Sequence, residues 1–248
     1  MARTQTDIRN IALLGHSGSG KTSIAEAMLY ISGAIDRLGK ITDGNTVCDY
    51  DAEEIKRGFS LSTSIAPVMW EGTKINVLDT PGYLDFVGEV LQALRVAECA
   101  VITVDAKAGI EVGTELAWGF AADAKLPRAI FVNKCDDNEA NYDRVFKELK
   151  EKFGTAICPV TVPCKEGNNL TIINLTDMKA YKYDAKGKRS EVPVEGRLES
   201  IAEEYKEAFN DAISMVSEEI MEKVLMEEEV SREEAAQVFD LLRADAVL

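Results

Sequence analysis

The chain has 248 residues, 46% of them hydrophobic and 29% charged, with a formal net charge of −15. One or two domains with a sizeable core are expected, in a soluble globular protein. No apolar run approaches the roughly 18 residues of a membrane span, which excludes a spanning helix, and the acidity argues against broad binding of nucleic acid, DNA included. Residues Met1 to Asp7 lack a signal core, and Cys48, Cys99, Cys135, Cys158 and Cys164 show no metal-binding spacing. An odd, scattered set of thiols fits a reducing, cytoplasmic setting.

The apolar run Ile8 to Leu14 predicts a buried strand. It leads into Gly15-His16-Ser17-Gly18-Ser19-Gly20-Lys21-Thr22, followed by Ser23. Ile24, Ala27, Met28 and Ile31 then recur at i, i+3, i+4 and i+7, which predicts a helix. Strand, G-x-x-x-x-G-K-[ST] turn and helix are the context of a phosphate-binding loop. Glycines let the backbone wrap phosphate oxygens with its N–H groups inward, and the helix N-terminus adds positive potential. Lys21 can reach the β- and γ-phosphates of a nucleotide, and the Thr22 hydroxyl can ligate Mg²⁺. His16, the sole histidine, is expected to act through its backbone more than its ring.

Residues Gly33 to Arg57 show little apolar periodicity, and a connection this long is usually functional or mobile. Ser60 opens a predicted strand, Ser60 to Trp70, with Leu61, Ile65, Val68 and Trp70 as its apolar residues; from this segment alone its hydroxyl reads equally as one that closes over a Mg²⁺-bound γ-phosphate and as an ordinary polar loop end. The next strand, Lys74 to Leu78, delivers Asp79-Thr80-Pro81-Gly82. Asp79 can hold a water of the Mg²⁺ shell, and the Gly82 N–H can meet a γ-phosphate oxygen. A helix from about Asp85 follows, with Phe86, Val87, Val90, Leu91 and Leu94 as its apolar side.

Cys99 to Val104 is a predicted strand, Glu115 to Ala124 a helix with Leu116 and Phe120 inward, and Arg128 to Val132 a further strand. That strand delivers Asn133-Lys134-Cys135-Asp136. The Asp136 carboxylate can accept from the ring N–H and exocyclic amine that guanine presents on one edge; adenine offers no such pair. Asn133 and Lys134 can pack over the base. Alternating strands and helices imply an α/β fold with a mostly parallel sheet flanked by helices, and all these residues fall at one edge of it.

Beyond a helix around Tyr142 to Phe153 the pattern changes. Ala156 to Cys164 is strand-like, and Leu170 to Tyr183 with Glu191 to Val194 suggests a hairpin around Asp184-Ala185-Lys186-Gly187. Acidic helices follow over Arg197 to Glu229, then Arg232 to Arg243 with Ser231 and Glu234 as a capping box. The expected division is a nucleotide-binding core over residues 1–154 and a small α+β subdomain over 155–248.

With GHSGSGKT, RGFSL, DTPG and NKCD in this order, the chain resembles the GTP-binding region of elongation factor G, a P-loop NTPase G domain with an inserted α+β subdomain. The resemblance covers essentially the whole chain and implies GTP hydrolysis to GDP with Mg²⁺, a monomer, and a ribosomal partner. It assigns phosphate and Mg²⁺ to Lys21 and Thr22, the switch position to Ser60, the γ-phosphate side to Asp79 and Gly82, and guanine to Asn133, Lys134 and Asp136. Four departures stand out. Tyr83 replaces the histidine that orients the attacking water; Gly18 replaces an aspartate and Ser17 an apolar gate residue; Ser60 replaces a threonine; and the Ser-Ala loop that completes the guanine pocket is missing. They point to an elongation factor G-like paralogue and to the N-terminal part of a longer protein. Tyr83 also leaves open a hydrolysis-impaired, nucleotide-gated binding module or ribosome-protection protein.

Overall fold

Strand β1 (Ile8–Leu14) is the centre of a five-stranded sheet, and its last three residues are buried. The computed structural model describes residues 8–154, 157–166, 169–183, 188–214, 217–226, 230 and 234. The chain forms two units, Met1–Asn133 and Lys134–Leu248.

In the first unit the elements run β1, α1 (Lys21–Ile31), α2 (Ala52–Arg57), β2 (Ser64–Trp70), β3 (Thr73–Asp79), α3 (Val87–Leu94), β4 (Cys99–Asp105), α4 (Val112–Asp123) and β5 (Arg128–Asn133). The sheet order is β2-β3-β1-β4-β5. β1 lies parallel to β3 and β4, and β5 parallel to β4, while β2 runs antiparallel to β3. The hairpin between β2 and β3 turns on Glu71 and Gly72, both at positive φ (46° and 86°), the conformation that matches the twist of paired strands. The sheet is thus mixed and mostly parallel, as expected.

The core against α1 consists of Leu13, Ile24, Ala25, Leu29, Cys48, Ala66, Val68 and Val77. Two apolar faces differ from the expected ones. On α1 the inner residues are Ile24, Ala25 and Leu29, whereas Ile31 is 62% exposed. The helix is apolar on most sides, so the stripe alone does not select the face. On β2 the pleat sends Ala66 and Val68 inward and leaves Ile65, of opposite parity, on the outer face; Trp70 shares the inner parity but is exposed at the strand's last position, beside the hairpin turn. β2 also begins at Ser64, four residues after Ser60, which lies in the irregular connection before it.

The connection between α1 and β2 contains α2, which Asp51 caps through the Glu53 N–H at 2.7 Å and which ends at Gly58 in the left-handed region. Three acidic side chains hold this connection. Glu26 of α1 is 1% exposed and accepts from the Gly39 N–H (3.0 Å) and the Val47 N–H (2.9 Å). Glu54 accepts from the N–H groups of Leu61 (2.9 Å) and Ser62 (3.2 Å), and Glu89 of α3 from that of Thr63 (2.7 Å). Buried N–H groups without a partner are costly, so these carboxylates fix the path of a segment with little secondary structure of its own.

The second unit comprises α5 (Tyr142–Phe153), an antiparallel sheet β6 (Thr161–Glu166), β7 (Asn169–Asn174), β8 (Lys179–Tyr183) and β9 (Arg189–Val192), then α6 (Arg197–Ser214) and α7 (Glu218–Leu225). The expected strand Leu170 to Tyr183 is two strands. Asn174 accepts from the Thr176 N–H (2.9 Å) and hydroxyl (2.7 Å), and Met178 takes φ 51°, turning the chain without a glycine. Tyr142, Phe146 and Tyr205 form an aromatic cluster with centroids 5.3–6.2 Å apart, joining α5 to α6. The expected turn at 184–187 and the helix Arg232 to Arg243 with its Ser231–Glu234 cap lie outside the described residues, Glu234 apart.

Candidate phosphate-binding site

The loop after β1 is shaped by close approaches. Gly15 takes φ 134°, and a Cβ there would fall 2.4 Å from the Thr103 carbonyl oxygen of β4. Gly20 takes φ 99°, and a Cβ there would fall 2.3 Å from the Asn133 amide nitrogen at the end of β5. Asn133 in turn donates to the Ser19 carbonyl at 2.9 Å, tying the loop to β5. The Lys21 ammonium donates to the carbonyls of Gly15 (3.0 Å) and His16 (2.9 Å), so it folds back across the loop. Gly18 and Ser23 are exposed, while Ser19, Lys21 and Thr22 are buried.

From the β3 side, Thr80 donates to the Leu13 carbonyl of β1 at 2.6 Å and locks the Asp79-Thr80-Pro81-Gly82 turn against the sheet. Gly82 then reaches the loop. A Cβ on it would lie 2.5 Å from the Lys21 nitrogen and 2.7 Å from the Ser17 N and Cα atoms. From the α1–β2 connection, the Ser60 hydroxyl sits 3.2 Å from the Thr22 hydroxyl and donates to Asp49 at 2.7 Å. The first unit therefore brings Gly15, His16, Ser17, Gly18, Ser19, Gly20, Lys21, Thr22, Ser60, Asp79, Gly82 and Asn133 to one edge of the sheet. Lys134 and Asp136 belong to the second unit; both are exposed, and Lys134 takes φ 60°.

The electrostatics are those of a site built for a charged guest. Asp79 is 1% exposed, and neither carboxylate oxygen has a hydrogen-bond partner. Burial pushes its carboxyl up to about 7; the nearby Thr22 hydroxyl and Lys21 ammonium pull the other way without completing a bond of good geometry. Lys21 is pushed down to about 8, again by burial, with Asp79 and Asp49 opposing. Asp49 is raised by burial against the Ser60 hydrogen bond, and its Oδ2 is buried and unpartnered. Unsatisfied buried oxygens next to two hydroxyls and a buried lysine fit Mg²⁺, which uses one or two carboxylates, hydroxyls, water and phosphate in place of an all-protein cage.

Two features differ from expectation. The His16 ring is engaged: its Nδ1 accepts from the Gly113 N–H of α4 at 3.3 Å, and its Nε2 faces Glu111 at 3.5 Å. Asp49, not singled out from the sequence, holds Ser60; the acidic run Asp49 to Glu54 was its only signal. Tyr83, after Gly82, is 43% exposed and stacks at a tilt on Phe59, with ring centroids 4.5 Å apart.

The elongation factor Tu GTP binding domain family matches residues 6–240. The chain belongs to that family. It is 36% identical over 242 residues to the elongation factor G-like protein of Mycobacterium tuberculosis H37Rv, covering 96% of this chain and 33% of that protein. It is 37% identical over 212 residues to the mitochondrial ribosome-releasing factor 2 of Anopheles gambiae, covering 85% of this chain and 29% of that protein. A crystal structure from Thermus thermophilus superposes with a TM-score of 0.87 at 35% identity, covering 97% of this chain and 37% of that one. The chain spans about a third of the length of the curated relatives it matches. It is a GTP-binding domain of that family, with the fold class read from the sequence. Among the described residues, no helix is long and apolar enough to cross a membrane.

Proposed function

We propose that this domain binds GTP and hydrolyses it to GDP within a translational GTPase that works on the ribosome in the cytoplasm, as a monomer. The observation that carries this is the approach of Gly82 to Lys21 and Ser17 beside the unpartnered Asp79 carboxylate, which leaves a charged, donor-rich cradle at the edge of the sheet. Backbone N–H groups of Gly15 to Thr22 and the Lys21 ammonium bind the phosphates; the Gly82 N–H meets the γ-phosphate. Thr22 and Ser60 would hold Mg²⁺ directly and Asp79 through water. Bound there, Mg²⁺ neutralises charge on the phosphate oxygens. Water attacks the γ-phosphorus, the bond to the β-phosphate oxygen breaks, and these residues stabilise the charge that develops. Asp136 accepts from the guanine edge, with Asn133 and Lys134 beside the base. The ribosomal partner rests on the likeness to elongation factor G-like proteins and to a ribosome-releasing factor.

A second reading, a nucleotide-gated module with little hydrolysis, is favoured by Tyr83. Its ring packs on Phe59, and its hydroxyl makes no hydrogen bond among the described residues. Single-turnover GTP hydrolysis by the parent chain, Tyr83→His and Tyr83→Phe separates the two. A parent rate about 10²–10⁴ below that of Tyr83→His is expected; equal rates refute the weakened-hydrolase reading.

A further inference from the structure

The loop that carries Asp136 has no regular structure of its own, and one side chain from the inserted sheet holds it. Lys165, on β6, donates to the backbone carbonyl of Asp136, to that of Asp137 at 2.8 Å and to the Asn138 side-chain oxygen at 3.0 Å. An ammonium has three N–H donors, so Lys165 spends its whole donor set on three consecutive residues. The loop has further internal ties: the Asp137 N–H donates to the Lys134 carbonyl at 3.0 Å, and the Glu139 N–H to the Asp137 carboxylate at 2.8 Å. β6 is itself anchored by its pairing with β7, where Lys165 lies opposite Leu170. The lysine therefore transmits the position of a sheet to a turn.

We propose that Lys165 is a positioning residue for base recognition: it fixes the Asp136 backbone so that both carboxylate oxygens of Asp136 meet guanine together. The proposal rests on the reading of Asp136 as the base-reading residue. Its chemical content is a difference between purines. Guanine offers a ring N–H and an exocyclic amine to the two oxygens, whereas hypoxanthine offers the ring N–H alone. A paired acceptor demands orientation as well as distance, so a loop free to drift loses the two-point contact before the single one. The inserted subdomain then contributes to nucleotide selectivity through one side chain, without touching the nucleotide.

The test measures equilibrium dissociation constants of GDP and inosine diphosphate for this chain and its variants, and follows their ratio. Lys165→Met is expected to lower the preference for GDP over inosine diphosphate about tenfold, the scale of one charge-assisted hydrogen bond, and Lys165→Arg to restore most of it. Thermal melting without nucleotide reports on folding, which the ratio does not. If Lys165→Met folds and keeps the parent ratio, the proposal is overturned. If it does not fold, Asn138→Ala, which removes one exposed acceptor and leaves both carbonyls, decides: a reduced ratio supports the proposal and an unchanged ratio overturns it. Asp136→Asn is run alongside. If it leaves guanine and xanthine nucleotides equally discriminated, the base-reading role of Asp136 fails; if it shifts preference toward xanthine while Lys165→Met changes nothing, only the positioning role fails.

Discussion

Glu26 gives the sharpest stability test because its two oxygens serve two backbone donors far along the chain. It is 1% exposed and accepts from the Gly39 and Val47 N–H groups at 3.0 and 2.9 Å. A Cβ at Gly39 would lie 2.5 Å from Glu26 Oε1, so the contact is too close for water to enter without moving the chain. Glu26→Ala leaves both N–H groups without an acceptor. At about 1–3 kcal/mol for each orphaned group, the cost is about 2–6 kcal/mol, a large share of the roughly 5–15 kcal/mol that holds a domain folded. Alanine is the better helix former, so α1 itself loses nothing. Glu26→Gln keeps one acceptor and turns an N–H toward the other donor, and is expected to cost about half as much. Urea denaturation measures the total, and amide exchange at Gly39 and Val47 measures where it falls. A cost below about 1 kcal/mol for Glu26→Ala, or unchanged exchange at those two amides, refutes the reasoning.

Gly82→Ala places a Cβ 2.5 Å from the Lys21 nitrogen and 2.7 Å from backbone atoms of Ser17; the lysine tip can swing away but the Ser17 backbone cannot. GTP turnover is expected to fall about 10²-fold, and parent-like turnover in a single-turnover assay would show that the turn has room to spare. Asp79 is predicted to make the nucleotide-free domain less stable as pH rises. Its carboxyl titrates near 3.9 when unfolded and at about 7 when folded, so the stability it contributes is complete below about pH 4 and is lost as pH climbs toward 7. Asp79→Asn removes that slope, worth up to about 4 kcal/mol; superimposable stability–pH curves for parent and variant between about pH 4 and 7 would contradict it.

The phosphate loop, the β3 turn and the strand preceding Asn133 were legible because each joins an apolar run to residue types with few alternative uses: glycines at positive φ, a lysine after them, a carboxylate at a strand end. The face of α1 was not, since Ala27, Met28, Leu29 and Ile31 are all apolar and only the sheet beneath decides which turn inward. The clamps were not legible for a different reason. Glu26 meets Val47, Glu89 meets Thr63 and Lys165 meets Asp136 across the fold. A charged residue in a helix or strand reads as a solvated one until the backbone donors and acceptors opposite it are known. The turn at Thr176 to Met178 escaped because an asparagine side chain and a left-handed methionine make it, with none of the usual glycine.

Whether the cradle around Lys21, Thr22, Ser60 and Asp79 takes a guanine nucleotide is decided by competition against a fluorescent GDP analogue. GTP and ATP are titrated in the presence of Mg²⁺ and again with the cation chelated. GTP is expected to displace the probe and ATP to leave it bound, with affinity reduced by chelation; equal displacement by ATP and GTP would contradict the assignment.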